Sequence, residues 1–421
     1  MIMTKTKRYC LLFFLFVAIN YSYSQENKTQ NSRDEAVQIF IDCARCDMDH
    51  IRREIPYVNY VRDVREAQLY IRETRQTTGS GGREYSYFFN GQKKFDGMID
   101  TLVYTSGPND TDEEIRAGRT NMMKMGLMRY VAKTPVYKEV NIEYDGDAEV
   151  EKVVDKWNNW VFEIETSPRF ESEESYKEFS FRNSFNANKI TEEWKIEVEF
   201  DHRLSRTKYT YEEETFIKDK TEVELENLVV NSLSQHWSAG LRLDFLTSSF
   251  SNIKFRSDIF PSVEYNLFPY SESTHRQLRF LYGIGVSINQ YNDTTIYEKT
   301  KENLAQHQLQ VAYRIQEKWG SINISLEGSN YLHDFSKNRL ELWGDIEVRL
   351  MKGLELSVFG GIARIHDQLS LVRGELSEAD ILLQLQELAT AYSVDGGVRL
   401  SYTFGSIYNN IVNPRFGNGR W

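Results

Sequence analysis

"WKIEVEFD" occupies residues 194–201. Trp194, Ile196, Val198 and Phe200 are apolar, and Lys195, Glu197, Glu199 and Asp201 between them are charged. Successive side chains of a strand point to opposite faces, so a period of two marks a strand with one greasy and one polar side; a helix would need a period near 3.6. The pattern returns in "WVFEIET" (160–166), where Trp160, Phe162 and Ile164 oppose Glu163 and Glu165. In "LELWGDIEVRL" (340–350) Leu340, Leu342, Ile346, Val348 and Leu350 oppose Glu341, Asp345, Glu347 and Arg349. It closes the chain in "YSVDGGVRLSYTF" (392–404), with Val394, Val398, Leu400, Tyr402 and Phe404 set against Asp395, Arg399, Ser401 and Thr403.

Working outward from these stretches gives twelve such segments, near residues 158–167, 176–188, 193–206, 215–231, 236–248, 253–267, 276–290, 303–316, 320–332, 338–351, 354–365 and 392–406. An even count of long two-faced strands is what a bacterial transmembrane barrel requires. Brief connections such as "NANKIT" (186–191), "SQH" (234–236), "QEKWG" (316–320) and "MKGL" (351–354) alternate with longer polar ones. The longer ones include "RTKYTYEEETF" (206–216), "YNDTTIYEKTKEN" (291–303) and the stretch from His366 to Tyr392. Short turns belong to the periplasmic end of such a barrel and long loops to the outside.

Alternation alone does not say which face is inside. A soluble barrel buries the apolar face; a membrane barrel turns it to lipid and keeps charges in its lumen. Three features favour lipid: the strand lengths, aromatics at strand ends such as Trp160, Trp194, Tyr265, Trp319 and Tyr402, and the amino terminus. There Lys5, Lys7 and Arg8 precede the apolar run "YCLLFFLFVAIN" (9–20), with Ser22 and Ser24 where a signal peptidase reads small residues. That run is too short to span a bilayer. We expect residues 1–24 to be a removable secretory signal, a retained anchor being the alternative. On this reading Lys195, Glu197, Glu199, Asp201, Arg242, Asp244, Arg256, Asp258, Glu347, Arg349, Asp395 and Arg399 face a lumen and pair across it. A secreted soluble β-sandwich is the competing fold.

Between signal and strands the texture differs. Residues 25–35 are a polar linker, and residues 36–150 read as a small α/β domain. "AVQIFIDC" (36–43) is a strand and "DMDHIRREI" (47–55) a short helix capped by Asp47. "YVNYV", "AQLYIRET", "EYSYFFNG" and "GMIDTLVYTS" are strands, the middle two joined by the glycine turn "TTGSGG" (77–82). The segment from Asp110 to Thr134 has acids in its first turns and Ile115, Met122, Met123, Met125, Met128 and Val131 near helical spacing. The order β-α-β-β-β-β-α implies one sheet with helices on one face. The fold class expected is therefore mainly β, a twelve-stranded antiparallel transmembrane β-barrel (155–416, with a tail at 417–421) preceded by a small periplasmic α/β domain.

The 421 residues carry a net charge of −11, with 25 Tyr, 24 Phe and only 7 Pro. An acidic chain lacks the concentrated basic face that binds phosphate backbones, so nucleic acid is excluded as a partner. Few motifs carry chemistry. Cys43 and Cys46 form "CARC" between a strand and a helix. That spacing serves redox sites, yet in an oxidising compartment it more commonly closes a structural disulfide, and no Pro stands where a thioredoxin-like loop would face the pair. "HWSAG" (236–240) places His236 and Ser238 on one strand face, but that face is the charged one, where a lipid hydrolase has no use for a nucleophile. "TTGSGG" lacks the Lys-Ser/Thr of a phosphate loop. Asp42, Asp47, Asp49 and His50 read as a capping cluster before a cation site. "SEADILLQLQELATAY" (377–392) reads as a helix in the last outer loop.

The closing stretch "SYTFGSIYNNIVNPRF" (401–416) resembles the last strand of Bacteroidetes-type outer-membrane β-barrel proteins, many of them uncharacterised. "SLSQHWSAGL", "VEYNLFPYSES" and "YLHDFSKNRL" look like members of the same family, which covers residues 155–416. In that family a terminal aromatic is read by the barrel-assembly machinery. Phe416 stands in the matching place, with Phe404 and Trp421 as alternatives because "GNGRW" follows. Residues 36–135 look more distantly like the small α/β domain of TolB and of the curli-secretion lipoprotein. The resemblance implies a fold and a location in the outer membrane, with lipid and the assembly machinery as partners. It implies no activity and no cofactor. The expected function is a non-enzymatic envelope component whose small domain docks a periplasmic protein. A narrow channel for polar solutes is the first alternative and a Cys43/Cys46 redox enzyme the second.

Overall fold

The structure, a computed structural model, describes residues 35–43, 45–79, 81–143, 156–211, 214–374, 389–406 and 410. The expected signal (1–24), the helix read within 377–392, and the assembly candidates Phe416 and Trp421 lie wholly or mostly outside the described residues.

The amino-terminal unit runs β1 (Gln38–Asp42), α1 (Met48–Glu54), β2 (Asn59–Tyr60), β3 (Leu69–Thr77), β4 (Arg83–Gly91), β5 (Ile99–Ser106) and α2 (Asp112–Val131). Its strands form one sheet in the order β2-β1-β3-β4-β5. β1 is parallel to β2 and β3, and the other pairs are antiparallel. The Asp47 carboxylate accepts the His50 amide at 2.9 Å and so starts α1. Thr111 and Glu114 make a reciprocal capping box at the start of α2, with the Thr111 amide donating to the Glu114 carboxylate at 2.7 Å. Both helices cover one face of the sheet. Ile51, Ile55, Met123, Leu127 and Tyr130 bury against Val37, Ile39, Leu69, Ile71, Tyr85, Tyr87 and Phe89. Met125, which the spacing set on the apolar side of α2, is instead 66% exposed. The buried stripe follows Met123, Leu127, Tyr130 and Val131, at steps of four, three and one, and Met125 falls about half a turn away from it.

The glycine turn joins β3 to β4 as expected: the Thr78 amide donates to the Gly82 carbonyl at 3.0 Å, and Gly81 adopts φ +80°.

The remaining strands are β6 (Trp160–Ser172), β7 (Tyr176–Ile190), β8 (Trp194–Tyr211), β9 (Glu214–Ser232), β10 (Trp237–Ser248), β11 (Ile253–Asn266), β12 (Arg276–Tyr291), β13 (Lys301–Glu317), β14 (Gly320–Tyr331), β15 (Asp334–Met351), β16 (Leu354–Ile365) and β17 (Tyr392–Tyr402). They coincide with the twelve segments read from the sequence. They make a single twelve-stranded sheet in which each strand pairs antiparallel with its chain neighbours. One connection differs from expectation. "RTKYTYEEETF" is mostly strand, because Thr and Tyr suit a pleated ribbon and carry β8 on to Tyr211. Among the described residues β6 and β17 do not pair with each other, so the sheet is open.

Many apolar side chains of this sheet are exposed, and several polar ones are buried. Along β12, Phe280, Tyr282, Ile284, Val286 and Ile288 are exposed while Gly283, Ser287, Asn289 and Tyr291 are buried. Trp194 and Leu342 are likewise open, each 42% exposed. The principal apolar cluster belongs to the α/β unit, and no second layer covers the greasy face of the large sheet among the described residues.

Candidate functional site

Three groupings of polar side chains stand out. The first is the charged face of the large sheet. Lys195–Glu197, Arg242–Asp244 and Arg256–Asp258 pair at 3.0, 3.0 and 3.1 Å, each two residues apart on one strand. Arg182–Asp201 (2.7 Å) and Arg203–Glu222 (2.9 Å) join neighbouring strands. All five pairs lie within the sheet, inside one strand or between neighbouring strands. Register sets Glu199 opposite Glu226, Glu226 opposite Asp244 and Asp244 opposite Asp258, a row of carboxylates over four strands. Like charges directly opposed are unfavourable in a sheet, and Arg242 and Arg256 flank the row to offset that. Glu347 is half-buried on β15, and Asp395 and Arg399 are exposed on β17.

The second grouping joins the two sheets. The face of the small sheet left free by the helices lies on the short-turn end of the large one. Asp42 at the end of β1 takes two bonds from Arg349 (3.1 and 3.2 Å) and one from the Tyr70 hydroxyl (2.7 Å). Arg349, assigned from sequence to a lumen, is therefore a docking residue. Arg72 donates to the Gln316 carbonyl at 2.5 Å, Lys318 to Asn90 at 3.0 Å, and the Gly353 amide to Asp63 at 2.7 Å. Glu66 pairs with Lys352, and Arg62 donates to the Phe404 carbonyl at 3.1 Å. Burial holds the Lys318 ammonium below its usual pKa. At the other side of the interface a Cβ on Gly81 would lie 2.9 Å from Val161 of β6, a close approach only glycine allows. Phe404, an assembly-signal candidate, is thus tied to the α/β unit through its carbonyl while its ring stays 76% exposed.

The third grouping surrounds Cys43 and Cys46, which are bonded to each other. Glu73 on β3 and Arg119 on α2 form a buried pair beside them, with side chains 5% and 15% exposed. Arg119 Nη2 lies 2.6 Å from Glu73 Oε1, 3.0 Å from Cys46 Sγ and 3.4 Å from Cys43 Sγ. Its guanidinium also stacks over the Tyr85 ring at 4.7 Å and donates to the Arg45 carbonyl at 3.2 Å. Burial pushes the Arg119 pKa down, but the Glu73 carboxylate more than offsets it and the net shift is upward. Burial, reinforced by Glu73, raises the Tyr87 phenol. Cys43, Cys46 and Glu73 are the one trio among the described residues with metal-ligand proximity. A cation does not fit it: the sulfurs bond each other and a guanidinium already stands against both.

The chain matches no protein-family model and no curated protein.

The remaining sequence candidates separate. His236 Nδ1 meets the Asn266 carbonyl at 2.8 Å, whereas Ser238 meets the Tyr270 hydroxyl at 2.9 Å, so each has its own partner. Asp47 pairs with Arg116, Asp49 with Arg52 and Asp42 with Arg349, which disperses the acidic cluster. Sequence reasoning missed Glu73 and Arg119. A signal was present: Glu73 continues the inward alternation Leu69, Ile71, and Arg119 lies one turn before Met123 on the buried stripe. A charge on an apolar stripe calls for a partner.

Proposed function

We propose that the twelve strands close into an outer-membrane β-barrel with the apolar face toward lipid, and that the α/β unit is a periplasmic domain docked on its short-turn mouth. The protein is then a non-enzymatic envelope component, in which the barrel anchors a domain that holds a periplasmic protein partner for a structural, assembly or export role. The carrying observation is the exposure of the sheet's apolar side chains: Phe162, Ile164, Phe280, Ile284, Leu342, Val398 and Leu400 are all exposed, from 37% to 79%. Soluble monomers rarely expose contiguous apolar surface beyond a few hundred Å². No described helix is long and apolar enough to cross a membrane.

The docking contacts support curvature. A flat sheet would set β6 about 53 Å from β17 at ~4.8 Å per strand. A domain of about 100 residues is only roughly 34 Å across, from a radius of gyration of ~13 Å. Yet the small domain meets Val161 on β6 and the Phe404 carbonyl just beyond β17. That reach supports a curled sheet, which closure also requires.

Envelope fractionation tests this reading. The chain should sediment with outer membranes and need detergent for extraction; a monomer stable in water without detergent would reject it. Pull-downs from solubilised envelopes, with and without residues 36–150, then separate a domain-held partner from a barrel-held one. A second reading, a narrow channel for small polar solutes, is favoured by the carboxylate row. It predicts cation-selective conductance steps in planar bilayers, and silence both with and without residues 36–150 rejects it.

A further inference from the structure

A disulfide that only staples β1 to α1 has no use for charge. Taking an ion pair out of water is costly, and the neutral sulfurs of a disulfide are weak acceptors that repay little of that cost. Here a pair with its carboxylate almost fully buried lies against both sulfurs. Arg119 Nη2 is nearer Cys46 Sγ (3.0 Å) than Cys43 Sγ (3.4 Å). Glu73 is nearer Cys43: Oε1 lies 3.2 Å from Cys43 Sγ, against 3.7 Å from Oε2 to Cys46 Sγ. A guanidinium is a strong donor to a thiolate, and a carboxylate is a strong acceptor from a thiol. The site is thus asymmetric in the sense that thiol–disulfide exchange needs.

We propose that Cys43 and Cys46 form a thiol–disulfide exchange site whose substrate is a dithiol, with Arg119 receiving Cys46 as the leaving thiolate and Glu73 holding the Cys43 thiol. A thiolate of the dithiol attacks Cys43 Sγ, the Cys43–Cys46 bond breaks, and its electron pair leaves on Cys46 facing Arg119. The second thiol of the substrate then attacks its own sulfur in the mixed disulfide, and the Cys43 sulfur departs and takes up a proton. That thiol donates to Glu73. Two electrons pass from the dithiol, which becomes a disulfide, to the cysteine pair. Two protons leave the dithiol; one ends on Cys43 and the other goes to solvent, because Cys46 remains a thiolate. Both cysteines are half-buried rather than sealed, and they lie on the helix side of the small sheet, away from the docking face, so a partner has access. The inference is independent of how the large sheet meets lipid, and it replaces the non-enzymatic part of the proposed function with a redox role for the small domain.

The test uses the full chain in detergent, with dithiothreitol as the dithiol. After reduction, the pH dependence of iodoacetamide labelling should show one thiol reacting well below the ordinary cysteine range of about 8.5, and mass spectrometry should place it at Cys46. Two ordinary profiles, or a bond that dithiothreitol opens only when the domain unfolds, would overturn the proposal, and neither needs a substitution. Arg119→Gln should move the labelling midpoint upward and shift the exchange equilibrium at least tenfold toward the disulfide. Arg119→Lys should restore much of the wild-type profile. An Arg119→Gln chain that loses thermal stability yet keeps the wild-type labelling profile assigns Arg119 a structural role only and rejects its part.

Discussion

Four phenols of the small domain show how single residues tie its stability to pH. Tyr60, Tyr70 and Tyr87 are 3%, 3% and 0% exposed, and burial raises the pKa of each well above the usual 10. Tyr57 is pushed up to about 12 by burial alone. A phenol is neutral when protonated, so the folded domain keeps these protons while the unfolded chain releases them near pH 10. Stability from this source is full below pH 10 and falls as pH rises, by about 1.4 kcal/mol per pH unit for each phenol titrating only in the unfolded chain. The expected outcome is cooperative alkaline unfolding of the domain above pH 10, followed by phenolate absorbance and circular dichroism. Tyr57→Phe should make the transition measurably shallower. A gradual, non-cooperative rise in absorbance from pH 9 would mean that these rings are open to solvent.

At the scale of elements, α2 was legible because its first-turn acids and most of its apolar spacing agree, Met125 being the exception. What the spacing did not carry was how closely the helix lies on the sheet. That depends on Gly118 and Gly126, where an added Cβ would sit 2.3 Å from the Tyr104 ring and 2.1 Å from the Phe89 ring. Two effects compete in Gly126→Ala. Alanine favours a helix interior by about 1 kcal/mol over glycine. Against that, Phe89 is fully buried, and overpacking a buried ring costs roughly 1–3 kcal/mol. The clash should win, and thermal unfolding of the intact chain should show a net loss; a raised midpoint would mean that the helix sits further from β4 than described. The disulfide cluster was half legible for a similar reason. The Cys43–Cys46 spacing is local, whereas Glu73 and Arg119 reach it only through the register of β3 and the rotation of α2.

For the whole molecule, the twelve strands could be read off the chain because period-two alternation is a local property that survives any arrangement of the sheet. Docking could not, since Arg349 shares a face with Glu347 and looks like any other charge there until Asp42 is brought against it. Closure is the same kind of non-local fact. β6 and β17 are 13 and 11 residues long, and nearly every residue of both is exposed on either side. An edge strand leaves every second amide without a partner, and hydrocarbon offers none, so an open sheet cannot rest in a bilayer. If the two strands pair in the membrane, their outward-pointing amides become ladder donors. Hydrogen exchange on the chain in detergent micelles should then protect β6 and β17 as strongly as the central strand β12. Edges that remain unpaired would exchange at the outward-pointing half of their amides as fast as loops do, with the inward half protected by β7 and β16. That two-residue sawtooth along β6 would reject the barrel even if the chain were found with membranes, because a sheet lying on a bilayer surface keeps its edges in water.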